Sequence, residues 1–303
     1  MYSSLKILRI GIAVLISLAA GMARAQDTAG QDPDRGTVDY LALGDSIPFG
    51  DDGFVPKEPE DRPDISVFVG YADYLGSWHF GGRYRNLSCP GETTGSFLDV
   101  TVPDFGCQIY KAKIPLKAAY SGSQIDAAEE LIRKNPQMQL ITLTLIGNDY
   151  FLLLQRCMIA HEDNPDGLDK CLVDGASATI NKAAKNLKIS VRRLKQAGFK
   201  GKILVSNLYT INLRETPRLL IIAAGNMAIA AAVTSEGAKM VDFFSRFTRE
   251  QWKVGGDGCK TGFLIPNPLS PVPEGDLVCD VHPSQLGSRA LAYAVWWRFK
   301  QWF

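Results

Sequence analysis

Ser46 stands at the end of an apolar run, in Tyr40-Leu-Ala-Leu-Gly-Asp-Ser46, and is followed by Pro48 and Gly50. A serine at the carboxyl end of a buried strand is positioned to act as a nucleophile, because ligands of parallel sheets gather beyond those ends. Small polar residues cap turns and helices equally often, so Ser46 alone decides nothing. A nucleophilic serine needs a base, and the chain has only three histidines, His79, His161 and His282. His79 follows Trp78 at the end of an expected helix and reads as a surface or packing residue. His161 sits in a polar loop. His282 lies in Cys279-Asp280-Val281-His282-Pro283, where the proline keeps it out of a helical conformation and gives a rigid mount. Two further clusters can supply donors to a developing oxyanion. Asn86 to Thr94 contains the turn glycine Gly91, and Gly147-Asn148-Asp149 contains a side-chain amide. Each alone is an ordinary strand-to-loop turn. Together they bring one nucleophile, one base and two oxyanion donors to what a parallel sheet makes a single rim, the parts that acyl transfer requires.

The elements that must position them alternate. Strands are expected at Val38–Leu43, Tyr84–Ser88, Leu140–Ile146, Lys202–Ser206 and Lys239–Phe243. Helices are expected at Val69–Phe80, Ser123–Asn135, Val173–Ala197, Leu219–Val233 and Gln285–Phe303, and Pro56, Pro59 and Pro63 mark a loop. In Ser123–Asn135 the apolar residues Ile125, Ala128, Leu131 and Ile132 share one face. Val173–Ala197 repeats Ile180, Ala184, Leu187, Val191 and Leu194 at steps of three and four, with its lysines elsewhere, as on a solvated face. Leu219–Val233 is nearly all apolar and is expected to be buried. Single strands alternating with helices imply a parallel sheet covered on both sides.

Residues 1–25 read as a signal peptide. Lys6 and Arg9 precede a short apolar run, and Ala23-Arg24-Ala25 is a small-x-small cleavage site. Residues 26–37 read as a flexible segment and 38–303 as one domain. The expected location is secreted or periplasmic. The formal charge of +1 offers no basic excess for nucleic acid. An even count of six cysteines in an exported chain reads as disulfides, and the nearest-neighbour pairing is Cys89–Cys107, Cys157–Cys171 and Cys259–Cys279. Each closes a loop worth roughly 3 kcal/mol before strain, and all three are expected to brace the cleft. No C-x-x-C or clustered histidine suggests a zinc site.

These four blocks, Gly44-Asp45-Ser46, Asn86 to Thr94 with Gly91, Gly147-Asn148-Asp149 and His282-Pro283, resemble the SGNH hydrolases, the GDSL-type esterases and lipases. The resemblance runs from about Val38 to the last helix. It implies a three-layer α/β/α sandwich with a central parallel sheet of flavodoxin-like type and no metal or organic cofactor. It makes Ser46 the nucleophile, His282 the base, and Ser46, Gly91 and Asn148 the oxyanion hole. Two positions depart from the pattern. Cys279 stands where the family usually has an aspartate, so either Asp280 or a backbone carbonyl orients the imidazole. Ile146 stands where a glycine is common.

The expected function is carboxylic ester hydrolysis of a lipase- or phospholipase-like kind by a monomer acting on a small-molecule or lipid ester. An expected loop after Asn148, with Phe151 to Leu154, and a later loop, with Phe263 to Ile265 and Leu269, are candidates to line an acyl channel. Trp296, Trp297, Phe299, Trp302 and Phe303 beside Arg298 and Lys300 either pack on the sheet or make transient contact with a membrane surface. The alternatives are a carbohydrate O-acetylesterase on the same machinery and a catalytically silent binding module.

Overall fold

The computed structural model describes residues 36–51, 64–162, 164–214, 216–266 and 279–301. The signal peptide, most of the segment 26–37, the Pro56–Pro63 loop, Leu269, Trp302 and Phe303 lie outside them.

Five strands form one parallel sheet in the order β2-β1-β3-β4-β5: β1 (Tyr40–Gly44), β2 (Tyr84–Asn86), β3 (Leu140–Thr144), β4 (Lys202–Ser206) and β5 (Lys239–Val241). The central strands β1, β3 and β4 are mostly apolar and almost wholly buried because both faces are covered. Alternation divides the core in two. Leu41, Leu43, Ile141, Leu143, Ile203 and Val205 pack on one side. Against them lie α4 (Gln124–Lys134), α6 (Pro165–Gln196) and α7 (Thr216–Ser235). Tyr40, Ala42, Leu140 and Leu204 face the other side. There they meet α2 (Tyr71–Phe80), α8 (Phe243–Lys253) and α9 (Gln285–Lys300). The architecture is the expected three-layer α/β/α sandwich.

Four features differ from the sequence reading. The residues after Asn148 form a helix, α5 (Gly147–Ala160), rather than a loop. The long helix α6 begins at Pro165, with Asn164 capping it by accepting from Gly167 N at 3.0 Å. His282 lies on β7 (Cys279–Pro283), which pairs antiparallel with β6 (Leu264–Pro266) outside the main sheet. The apolar helix α7 is half-buried to exposed along most of its length: among its described residues only Gly225, Ile229 and Val233 turn fully inward, at steps of four. Apolarity made it read as core, but apolarity does not say which surface covers it.

The cysteines pair as Cys89–Cys107, Cys157–Cys171 and Cys259–Cys279. The first ties the Gly91 loop to α3 (Cys107–Lys113), and the third ties the start of β7 to the short turn at Cys259–Thr261. The second joins two helices, α5 and α6, rather than a loop.

Strand order reverses between β1 and β3, which makes a crevice at their carboxyl ends. Their register pairs Gly44 with Thr144. Gly44 has φ +134°, and a Cβ there would stand 2.0 Å from Thr144 O. Gly44→Ala is expected to lower stability by at least about 2 kcal/mol. Gly147→Ala, where a Cβ meets nothing within 4 Å, should stay within about 0.5 kcal/mol. Urea unfolding midpoints of the two variants check this.

Candidate active site

Beyond Gly44 the chain turns at once into a single helical turn, α1 (Ser46–Phe49). Asp45 caps it by accepting from Ile47 N at 3.0 Å. Asp45 N donates to Thr144 O at 3.1 Å and Gly50 N to Ser46 O at 2.9 Å. Gly50 sits at φ +83° against the Gly70 backbone, where a Cβ would lie 2.1 Å from Gly70 N. Asn86 Nδ2 donates to Pro48 O at 2.8 Å. The turn is held at both ends, while the Ser46 N–H has no hydrogen-bond partner among the described residues.

The chain after β2 keeps following β1: Leu87 N donates to Ala42 O and Cys89 N to Gly44 O, both at 3.0 Å. Gly91 follows at φ +83°, where a Cβ would lie 2.6 Å from Phe105 O. Its N–H also lacks a partner among the described residues. Asn148 is buried in the first turn of α5 and donates one Nδ2 hydrogen to Glu92 O at 2.9 Å, leaving the other available. Two residues before it, Ile146 is, among the described residues, the one non-glycine residue with positive φ, +95°. The backbone here takes the conformation a glycine would hold without strain.

Asp149 locks the two donor segments together. Its carboxylate accepts from Thr94 N at 2.9 Å and Thr94 Oγ1 at 2.7 Å, and Asn186 Nδ2 donates to that same hydroxyl at 3.1 Å. Burial raises the Asp149 pKa against these bonds. Gln124 makes a second strut. It accepts from Gly44 N at 2.6 Å and donates to Gly44 O at 2.9 Å and Glu92 Oε2 at 3.0 Å. Burial pushes the Glu92 carboxyl up to about 7. Neither strut was assigned from sequence. Gln124 left one signal, a polar residue one turn before Ala128 on the inward stripe of α4.

His282 Nδ1 contacts Asp280 Oδ1, and His282 N donates to the same oxygen at 2.9 Å. The group beside the imidazole is therefore the carboxylate two residues earlier. Tyr209 OH donates to Val281 O at 2.5 Å, and the Cys259–Cys279 bridge holds the start of the strand. Burial lowers the His282 pKa. The hydrogen bond and charge of Asp280, then the charges of Asp51 and Asp45, outweigh it and leave the value raised. Burial raises the Asp280 pKa, but the bond and charge of His282 bring it below the ordinary carboxylate value. Burial carries Asp45 up to about 7, against the Ile47 N–H and the His282 charge.

The element headed by Ser46, α1, packs against β7, with Cα atoms approaching within 8 Å. Among the described residues no hydrogen bond joins Ser46 Oγ to His282. Ser46 and Asn148 line a cavity of about 250 Å³, together with Tyr209 and Val281. Gly91 and His282 are not among its lining residues. The cavity runs between α5, α6 and α7 and is walled by Phe151, Leu153, Leu154, Ile180, Ile221 and Ile222. Of the two apolar segments expected there, the one after Asn148 contributes and Phe263 to Ile265 does not.

Donors of metal-ligand type gather at Cys89, Glu92 and Cys107, but both sulfurs are in a disulfide. His79 stacks on Trp296 at 3.8 Å between ring centroids, so Trp296 packs on α2, whereas Trp297 is exposed.

Asp149→Ala strands the Thr94 N–H in a buried place and is expected to cost about 1–3 kcal/mol. Thr94→Val, which removes only the hydroxyl, should cost about 1 kcal/mol. Chemical denaturation of both variants measures the difference.

No family model matches the sequence, and no curated protein does. Solved structures do share the fold. An extracellular lipase from Streptomyces rimosus is 17% identical, with a TM-score of 0.52 over 86% of this chain and 98% of that one. A phospholipase A1 from Streptomyces albidoflavus is 18% identical, with a TM-score of 0.51 over 86% and 98%. The lipase Lip_vut3 from a goat rumen metagenome is 15% identical, with a TM-score of 0.50 over 86% and 96%. With its 2-1-3-4-5 parallel sheet and a serine turn at the switch point, this chain has the α/β/α fold of the SGNH, or GDSL-type, hydrolases.

Proposed function

We propose that this chain is an exported serine hydrolase that cleaves carboxylic esters with an apolar acyl group. The observation that carries the reading is the packing of α1, headed by Ser46, on β7, whose His282 is already braced by Asp280. Ser46 Oγ attacks the ester carbonyl and His282 Nε2 accepts its proton. Asp280 holds Nδ1 as the protonated nitrogen and stabilises the imidazolium. The oxyanion is met by the N–H groups of Ser46 and Gly91 and the spare Nδ2 hydrogen of Asn148, none of which needs to break a bond first. The alkoxide leaves with the proton from His282, and water then hydrolyses the acyl-Ser46 ester by the reverse sequence. In the free protein the Ser46–His282 bond is not yet made, which is common before substrate binds.

The apolar cavity beside Ser46 supports an acyl chain longer than acetate, as do the lipase and phospholipase A1 that share the fold. Three disulfides support an oxidising compartment.

A fluorophosphonate probe is expected to add once, on Ser46, by peptide mass spectrometry. A protein left unlabelled would be a binding module. On nitrophenyl esters the wild type should prefer octanoate. Ile222→Trp, which fills the cavity, should lower octanoate turnover at least tenfold and spare acetate. Activity confined to acetate would favour the O-acetylesterase.

The base must be neutral to accept a proton, so kcat/KM rises with pH through the His282 pKa. That limb is expected above the ordinary 6.5 of a free imidazole. Asp280→Ala removes the main group raising it and leaves burial to act. The limb should move to lower pH while turnover falls by roughly 10³–10⁴. A pH–rate profile of both proteins reads the shift, and an unmoved limb with near-native turnover would remove Asp280 from the mechanism.

A further inference from the structure

Helix α7 is mostly apolar and has no continuous polar stripe. Its polar side chains are Thr216, Arg218, Asn226, Thr234 and Ser235. A helix of this kind belongs in a protein core or in lipid. An 18-residue window, Arg218–Ser235, has mean hydropathy 1.6, yet only 17% of it is buried in the fold. The outward face carries Leu220, 66% exposed, and Met227, 70% exposed, with Ala223, Ala224 and Ala231 between and beside them. The opposite face is a wall of the cavity beside Ser46, through Ile221 and Ile222. The helix is not loose: Asn226 Oδ1 accepts from Leu208 N at 2.8 Å and Asn226 Nδ2 donates to Leu208 O at 2.9 Å, fixing it to the end of β4. Exposed apolar residues also occur at Met158 and Ile159 of α5 and at Val173 of α6.

We propose that this face docks on an uncharged or zwitterionic acyl-lipid surface. The choice of lipid rests on reading the adjoining cavity as the acyl site, since one helix then separates the lipid phase from the place where its chain is cleaved. The composition points the same way. Protein–protein anchors are rich in Tyr, Trp and Arg and poor in leucine and alanine, whereas the outward face of α7 has leucine and alanine around a single methionine. It also has no lysine or arginine to pair with anionic headgroups. Contact is therefore made by apolar burial and is indifferent to salt. The docking surface is this helix, rather than the tryptophan-bearing end of α9.

The test is flotation with phosphatidylcholine vesicles, with Ser46→Ala in the background so that no lipid is consumed. The parent should float equally at low and high salt. Leu220→Gln/Met227→Gln, on residues that do not line the cavity, should float at least tenfold less. With Ser46 restored, the same pair should leave turnover of a soluble nitrophenyl acetate unchanged. Equal flotation of parent and variant, or none by either, overturns the proposal. So does a sedimentation dimer that the substitutions dissolve, which would give the face to a second copy. Flotation lost by substitution in a protein that never reacts with the fluorophosphonate would overturn the hydrolase reading and leave the lipid face standing.

Discussion

The close approach of β1 and β3 at their carboxyl ends is the constraint on which the site depends. Gly44 lies so near Thr144 O that only a glycine fits, and Gln124 ties both its N–H and its C=O. The register that pairs Gly44 with Thr144 brings Ser46 and Asn148 out over one rim, a few residues beyond the same layer of the sheet. The segment after β2 joins them because it continues to bond to β1 as far as Gly44 O. A shift of either strand would carry the serine turn away from the amide that faces it.

Around that rim the polar groups fall into two kinds. Gln124, Glu92 and Asn86 are buried and Asp149 half-buried, and all four are hydrogen-bonded to neighbouring side chains and backbone, so they fix the loops. The N–H groups of Ser46 and Gly91 and one hydrogen of Asn148 are left over. Asp280 beside it on β7, and Asp51 and Asp45 flanking α1, act on His282 and bias the imidazole toward its charged form, as the proposed proton transfer would need.

Much of the fold was legible in the chain. The apolar runs at Leu140 and Lys202 and the inward stripe of α4 marked a parallel sheet with covered faces. The proximity of cysteines along the chain matched their pairing in space. The four polar clusters pointed to one rim because three followed expected strands and the fourth stood just before the last helix. Other features had no local signature. Helix α5 borders a cavity and a disulfide, so its leucines follow no single stripe, and Phe151 to Leu154 read as loop. His282 read as a residue before a helix, because β7 is short and its partner β6 lies beyond an interval with no strand pattern. The burial of α7 was misjudged, since a chain records how apolar a helix is and not what lies against it. The struts made by Asp149 and Gln124 link residues 55 and 80 positions apart, a distance over which periodicity carries no information.

The central claim is that a single carbonyl carbon can sit between Ser46 Oγ, His282 Nε2 and three hydrogen-bond donors. A crystal structure of a phosphonate adduct tests it most directly, since the phosphonyl oxygen stands where the oxyanion would form. The account predicts phosphorus bonded to Ser46 Oγ, that oxygen within about 3 Å of Ser46 N, Gly91 N and Asn148 Nδ2, and the alkyl group between α5, α6 and α7. An adduct on another residue, or an oxygen turned away from Gly91 and Asn148, would contradict it.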